Sequence, residues 1–250
     1  MPFPLVTIGY AFMGGVLPVM VWLYFLLKED ARCPEPRHVI IIALIAGMAA
    51  VPLALPPEQF FKAFADFHLI ACADTSKTCF PIVLGWATIE ETLKYVLAAV
   101  LVLWRRAVNE SVDLVVYMIT VALGFAALEN TLFLIGPLLN HDIFGPSGFL
   151  VTDNLRFVGS TLVHVISSSC IGFALAFSYK MNKGIRALAA SLGLILAISL
   201  HAFFNFFIIQ PDGIHRIAAF FVVWTGAVVF LALFEILKFF RYRNLPKNTC

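Results

Sequence analysis

Charge is what this sequence has least of. Its 17 Lys and Arg and 15 Asp and Glu make up 13% of 250 residues, about half the share in an ordinary soluble domain. With 61% apolar residues and a mean hydropathy of +0.94, water cannot be the main solvent of the fold. Other signals are missing too. No basic stripe is interleaved with exposed aromatics, which excludes nucleic acid as a partner. None of the five cysteines sits in a CxxC pair, which argues against a cysteine zinc site. HExxH, internal repeats and low-complexity stretches are absent. The first apolar run lacks a basic n-region and meets Lys28-Glu29-Asp30 without a small-residue cleavage site, so it is expected to remain as a helix.

What the chain does have is long apolar runs. About 20 such residues carry a helix across a hydrocarbon core of roughly 30 Å. Seven runs qualify, at approximately 4 to 27, 39 to 56, 81 to 104, 113 to 139, 155 to 179, 185 to 209 and 217 to 240. The expected fold is therefore all-α, a polytopic membrane bundle of about seven helices forming one domain over residues 1–250. Short cytoplasmic loops are enriched in Lys and Arg. One side of the bundle holds Lys28, Arg32, Arg37, Arg105, Arg106, Lys180, Lys183, Arg186, Lys238, Arg241, Arg243 and Lys247, the other only Lys62, Lys77, Arg156 and Arg216. Twelve against four puts the C-terminus in the cytoplasm and the N-terminus outside, and this loop bias accounts for the net charge of +2.

Residues 57–80 form the long external connection. Phe60, Phe61, Phe64 and Phe67 recur there at helical spacing among Glu58, Lys62 and Asp66, the pattern of a short helix lying in the interface with its aromatic face down. It either anchors two spans or covers whatever lies beneath. Cys72 and Cys79 are the one pair placed to bridge in an oxidising compartment.

Against this apolar background, polar strings interrupt the spans. They are Glu90-Glu91-Thr92-Leu93-Lys94, Glu129-Asn130, a lone His164, and His201 followed by Asn205. An ionisable group at membrane depth costs roughly 2.5 to 3.5 kcal/mol on insertion scales, so a set of them needs a purpose. Counted from the outer helix ends at about 1.5 Å per residue, Glu90, Glu129, His164 and His201 all lie roughly 12 to 17 Å deep. Residues four apart share a helix face, which groups Glu90 with Lys94, Phe125 with Glu129, His164 with Ser168 and Gly172, and His201 with Asn205. Gly124, Gly159 and Gly172 would allow close helix approach there. Each group alone has a plainer reading, as an internal ion pair, an interhelical hydrogen bond or a structural histidine. Four ionisable groups at one depth favour a site.

Hydrolysis suits such a set. A carboxylate can take a proton from water and return it to a leaving amine while His and Asn stabilise the oxyanion. Alternatively Glu90, Glu129, His164 and His201 could hold a zinc ion that lowers the water's pKa. The balance leans to a metal-free site, because the ligands come from separate helices without a local His pair to seed them. A proton-coupled transporter or channel would also line a bundle with Glu and His, although no paired discontinuous helices are present. A retinal protein would need a lysine within the last span, where Lys238 lies at the cytoplasmic end.

The order EExxK from Glu90 to Lys94, Gly124 to Asn130, Arg156 ahead of His164, then His201 to Asn205, resembles the PrsW family of intramembrane proteases, with Asp113 and Tyr117 fitting the same pattern. The likeness runs from about Asp66 to Asn205. The related CAAX prenyl endopeptidases and CPBP or Abi proteins typically carry EExxxR and FxxxH, whereas Lys94 at the shorter spacing and Glu129 in place of His favour PrsW. The resemblance implies site-1-type cleavage of a single-pass membrane protein, such as an anti-sigma factor, near the outer face of a bacterial cytoplasmic membrane. It implies Glu90 as the water-activating base with Glu91 as its partner or a stabiliser of the helix, and Glu129 as a second acid or ligand. His164, His201 and Asn205 would then bind the oxyanion or a metal, supported from behind by Lys94, Asn130 and Arg156. The family's chemistry has been described both as metal-dependent and as glutamate-dependent.

Overall fold

The computed structural model describes residues 5–29, 34–68, 79–105, 107–139, 149–209 and 213–242, and every regular element among them is helical. In chain order these are α1 (Leu5–Glu29), α2 (Arg37–His68), α3 (Phe80–Ala98), α4 (Ser111–Leu139), α5 (Phe149–Phe177), α6 (Lys183–Ile209) and α7 (Gly213–Tyr242). The rod of α3 continues through Ala99–Leu103 with widened, π-helical hydrogen bonding. Six of the seven are long and apolar enough to cross a membrane. The exception is α3, because Glu90, Glu91 and Lys94 stand in its middle and are buried.

A helix that is apolar all round must be enclosed by others, and α4 meets that rule. Every residue from Val112 to Ala127 is buried, with α1, α2 and α5 packed around it. Small residues set the distances. A Cβ on Gly47 of α2 would meet the Val121 carbonyl oxygen of α4 at 1.9 Å, and one on Gly124 of α4 would meet the Leu44 carbonyl oxygen at 2.0 Å. The two backbones are therefore in direct contact, as apolar helices without a hydrophobic driving force between them require. Gly172 makes the same kind of approach, its virtual Cβ lying 2.9 Å from Val115 Cα of α4. Gly159 differs from the sequence expectation: its space is taken by the Phe204 and Phe220 rings rather than by a neighbouring backbone. Gly47→Ala should accordingly lower stability by about 1 to 3 kcal/mol as an overpacked contact. Gly9→Ala, where nothing lies within 4 Å, should not, and thermal unfolding of the two detergent-solubilised variants separates them.

The end of α2 departs from the sequence reading in two ways. No break separates the span from residues 57–68, since the helix runs on through Pro52, Pro56 and Pro57 to His68. At about 1.5 Å per residue, its 32 residues are about 48 Å long, well beyond a hydrocarbon core. Nor do the four Phe share a face. Phe60, Phe64 and Phe67 are exposed, at i, i+4 and i+7, while Phe61 turns the other way onto α3 with Ala65, Ile82 and Trp86. Lys62 and Asp66 pair at 2.6 Å along the extension. Cys79 is disulfide-bonded; Cys72, its expected partner, lies outside the described residues.

Candidate active site

Four helices converge on one polar cluster, and helical spacing decides what each contributes. α3 offers Glu90, Glu91 and Lys94. α4 offers Phe125 and, one turn on, Glu129. α5 presents Ser160, His164 and Ser168 at steps of four, and α6 supplies His201.

Glu91 is the anchor. It is fully buried and accepts three hydrogen bonds, from Lys94 Nζ at 2.5 Å and His201 Nδ1 at 2.8 Å on Oε1, and from Ser168 Oγ at 2.9 Å on Oε2. A buried carboxylate is tolerable only when paired and hydrogen-bonded in this way. Lys94, equally buried, reaches on to His164 Nδ1 at 3.1 Å and stands 4.6 Å from the centre of the Phe125 ring.

These contacts assign the histidine protons. An ammonium has donors and no acceptor, so His164 Nδ1 must accept from Lys94 and its proton must sit on Nε2. That N–H donates to Glu129 Oε2 at 2.7 Å, where Ser160 Oγ donates a second bond at 3.2 Å. His201 takes the opposite tautomer. Its Nδ1–H is spent on Glu91, which leaves the lone pair of Nε2 facing Glu90 Oε2 at 3.7 Å. The two imidazoles stand edge to face with centroids 4.8 Å apart.

Glu90 is the unsatisfied member. It is 7% exposed, yet Oε2 has no hydrogen-bond partner among the described residues. Two acceptors, Glu90 Oε2 and His201 Nε2, thus point at each other with no donor between them. Leaving such a group bare is expensive, so the pair is built for something that supplies two O–H donors or a positive charge. One ligand atom from each of Glu90, His164 and His201 lies within 4.8 Å of the other two. One carboxylate and two imidazoles are a donor set of the zinc type; Glu90 and His201 Nε2 offer lone pairs as they stand, whereas His164 would have to give up its bond to Lys94 or Glu129 to join them. The Glu91 bond to His201 Nδ1 is the carboxylate support that metal-binding histidines commonly have behind them.

The remaining expected residues fall differently. Glu129 holds His164 and is not part of that metal-compatible trio. Asn130 Nδ2 donates to Thr161 Oγ1 at 3.0 Å, tying α4 to α5 beside the cluster. Asn205 is half-buried, one turn from His201, and makes no side-chain hydrogen bond among the described residues. The side chain of Arg156 lies outside the described part. Asp113 and Tyr117 are not at the site at all: Asp113 accepts from the Asn109 and Glu110 backbone N–H groups at 2.9 and 2.8 Å at the start of α4, and Tyr117 O–H donates to Glu35. Lys238 pairs with Glu29 and Glu235 at 2.8 and 2.7 Å near the C-terminal end of α7. Ser160 escaped the sequence reading, although its position four residues before His164 was the available signal.

Comparison with known proteins gives a consistent result. A family model described as PrsW family intramembrane metalloprotease matches residues 35–239. A Protease PrsW of Clostridioides difficile (strain 630) is 23% identical over 197 residues, covering 78% of this chain and 77% of the relative. A Protease PrsW of Bacillus subtilis (strain 168) is 24% identical over 193 residues, covering 77% and 80% respectively. No solved structure matches.

Proposed function

Because the chain belongs to the PrsW family of intramembrane metalloproteases and is a membrane-embedded peptidase, we propose that it hydrolyses a peptide bond of a single-pass membrane protein at the Glu90–His201 pair. The observation that carries this reading is the unpartnered Glu90 Oε2 facing the His201 Nε2 lone pair at 3.7 Å. A water molecule placed there has an acceptor for each of its hydrogens, which fixes its orientation toward a scissile carbonyl. Glu90 then takes the proton as the water attacks and returns it to the leaving amine.

The other residues hold this pair in place. Glu91 keeps the His201 proton on Nδ1, so that Nε2 stays an acceptor. Lys94 does the converse for His164, committing its Nε2–H to Glu129. Among the described residues the lysine and both histidine N–H groups are engaged, and Asn205, one turn from His201, is proposed as a donor to the carbonyl oxygen as it becomes an oxyanion. A divalent metal, zinc foremost, would be held by Glu90 and His201 together with His164, which would first have to release its hydrogen bond to Lys94 or to Glu129, and would supply a water of lowered pKa and a polarised carbonyl.

The site is reached from helices that cross the membrane, so the substrate is proposed to be a transmembrane segment or the chain just beyond it, as in site-1-type cleavage of an anti-sigma-factor-like protein. The basic residue bias supports a multi-pass orientation with the N-terminus outside, the C-terminus in the cytoplasm and the α2–α3 connection on the outer face of a bacterial cytoplasmic membrane.

The metal is tested directly. Purified protein should carry near-stoichiometric zinc, and a strong chelator should abolish cleavage of a single-pass substrate until zinc is returned. Full activity in metal-free protein would remove the metal and leave the Glu90 water mechanism standing.

A further inference from the structure

Hydroxyls in apolar helices commonly turn back to a carbonyl of their own helix. Thr120, Thr131, Ser167, Ser191 and Ser199 do so, each donating to the carbonyl oxygen four residues earlier. Two serines depart from the rule. Ser160 and Ser168 lie four residues before and after His164 on one face of α5, and each donates to a carboxylate on another helix, Glu129 of α4 and Glu91 of α3. Ser168 makes the closer bond. It is fully buried, with Oγ 2.9 Å from Glu91 Oε2, against 3.2 Å from Ser160 Oγ to Glu129 Oε2. Its neighbours Ser167 and Ser169 are buried too but bond within α5, to the Val163 and Ile166 carbonyl oxygens.

What hangs on the Ser168 bond is the proton of His201. That ring stands between two carboxylates, with Nδ1 2.8 Å from Glu91 Oε1 and Nε2 3.7 Å from Glu90 Oε2. A neutral imidazole has one N–H to give. Given to Glu91, it leaves Nε2 as the lone pair opposite Glu90; given to Glu90, it closes the gap between them and leaves the water no acceptor on the ring. Glu91 wins the proton while its Oε1 points at Nδ1. Lys94 also holds Oε1, at 2.5 Å, but an ammonium is a point charge that can follow either oxygen as the carboxylate turns. Ser168 is the contact on Oε2, and pinning the second oxygen fixes the plane of the group.

We propose that Ser168 is a positioning residue: by holding Glu91 Oε2 it fixes the carboxylate so that His201 carries its proton on Nδ1 and keeps Nε2 as an acceptor for the reacting water. Its part in cleavage rests on the proteolytic reading; the proton position does not.

The test uses the full-length protein in proteoliposomes. Solid-state 15N NMR of histidine-labelled protein reports which ring nitrogen bears the proton, with a chelator present to keep any metal off Nε2 and with the His201 signals identified by their loss in His201→Gln. Wild type should show His201 protonated on Nδ1. Ser168→Ala, smaller by one oxygen atom, should move a large part of His201 to the Nε2–H form. It should also lower kcat on a single-pass substrate by about tenfold with KM little changed, the lower worth of one hydrogen bond to a charged group. Ser168→Thr, which keeps the hydroxyl, should retain the wild-type tautomer. Ser167→Ala and Ser169→Ala remove buried hydroxyls from the same turn and should change neither quantity. An Nδ1–H His201 that survives in Ser168→Ala, or a tautomer shift and rate loss of the same size in Ser167→Ala, overturns the proposal whatever the unfolding temperatures do. A wild-type protein that cleaves no substrate would bring down the proteolytic reading, and the NMR comparison would still decide the role of Ser168.

Discussion

Glu90→Gln is expected to give a folded protein whose cleavage rate falls by about 100- to 10,000-fold, the range for loss of a general base. Folding should survive because glutamine is nearly isosteric and the Oε2 it replaces has no hydrogen bond to lose among the described residues. Activity should not, because an amide in that position presents either a weak acceptor or an N–H donor to the water, and cannot hold its proton. An N–H turned toward His201 Nε2, 3.7 Å away, would also close the gap where the water belongs. Metal content separates the two roles open to the residue. If Glu90 is a ligand, bound zinc drops together with the rate; if it is only the base, zinc stays while the rate falls. Turnover close to wild type in a protein with an unchanged unfolding temperature would remove Glu90 from the chemistry.

The neighbouring Glu91 shows how far sequence could carry this distinction. In the string Glu90-Glu91-Thr92-Leu93-Lys94 the two acids are equivalent by composition, and only the tertiary arrangement separates an anchored carboxylate with three donors from a spare one. The helix faces were legible, because i and i+4 spacing is a local property: Phe125 with Glu129, and His164 with Ser168, do project together. Their convergence was legible too, from a common depth counted along separate helices. What was not legible depends on contacts distant in the chain. Glu58 comes against α3 only because α2 passes through its prolines and settles there at Trp86 and Gly85. Phe61 leaves its apparent aromatic stripe for the same reason. Asp113 and Tyr117 belong to the same sequence pattern as the acids but work at the opposite end of α4, where Asp113 caps the helix start and Tyr117 meets Glu35. Order along a sequence cannot separate packing from chemistry. The 16 residues from Asp113 to Glu129 put the two about 24 Å apart along α4 at about 1.5 Å per residue.

Lys94→Met should be the most destabilising of the single changes at the cluster. Removing the cation strands Glu91 as a buried anion, and breaking a buried pair from one side costs about 3 to 5 kcal/mol. The two remaining donors, Ser168 Oγ and His201 Nδ1, are neutral and do not replace a charge at 2.5 Å. Glu91→Gln combined with Lys94→Met removes both charges at once, and replacing a whole buried pair by groups of similar volume is often neutral or stabilising. The double variant should therefore regain most of the unfolding temperature lost by the single one. It should not regain cleavage. Without the ammonium on Nδ1, His164 is free to move its proton and break from Glu129, and without the carboxylate, His201 no longer has a fixed acceptor behind Nδ1, so Nε2 ceases to be a dedicated lone pair opposite Glu90. Recovery of stability without activity is thus the signature of a charged network whose task is to set proton positions. Recovery of both would show that Glu91 and Lys94 serve packing alone, and a single Lys94→Met protein as stable as wild type would show that Glu91 is not held as an anion.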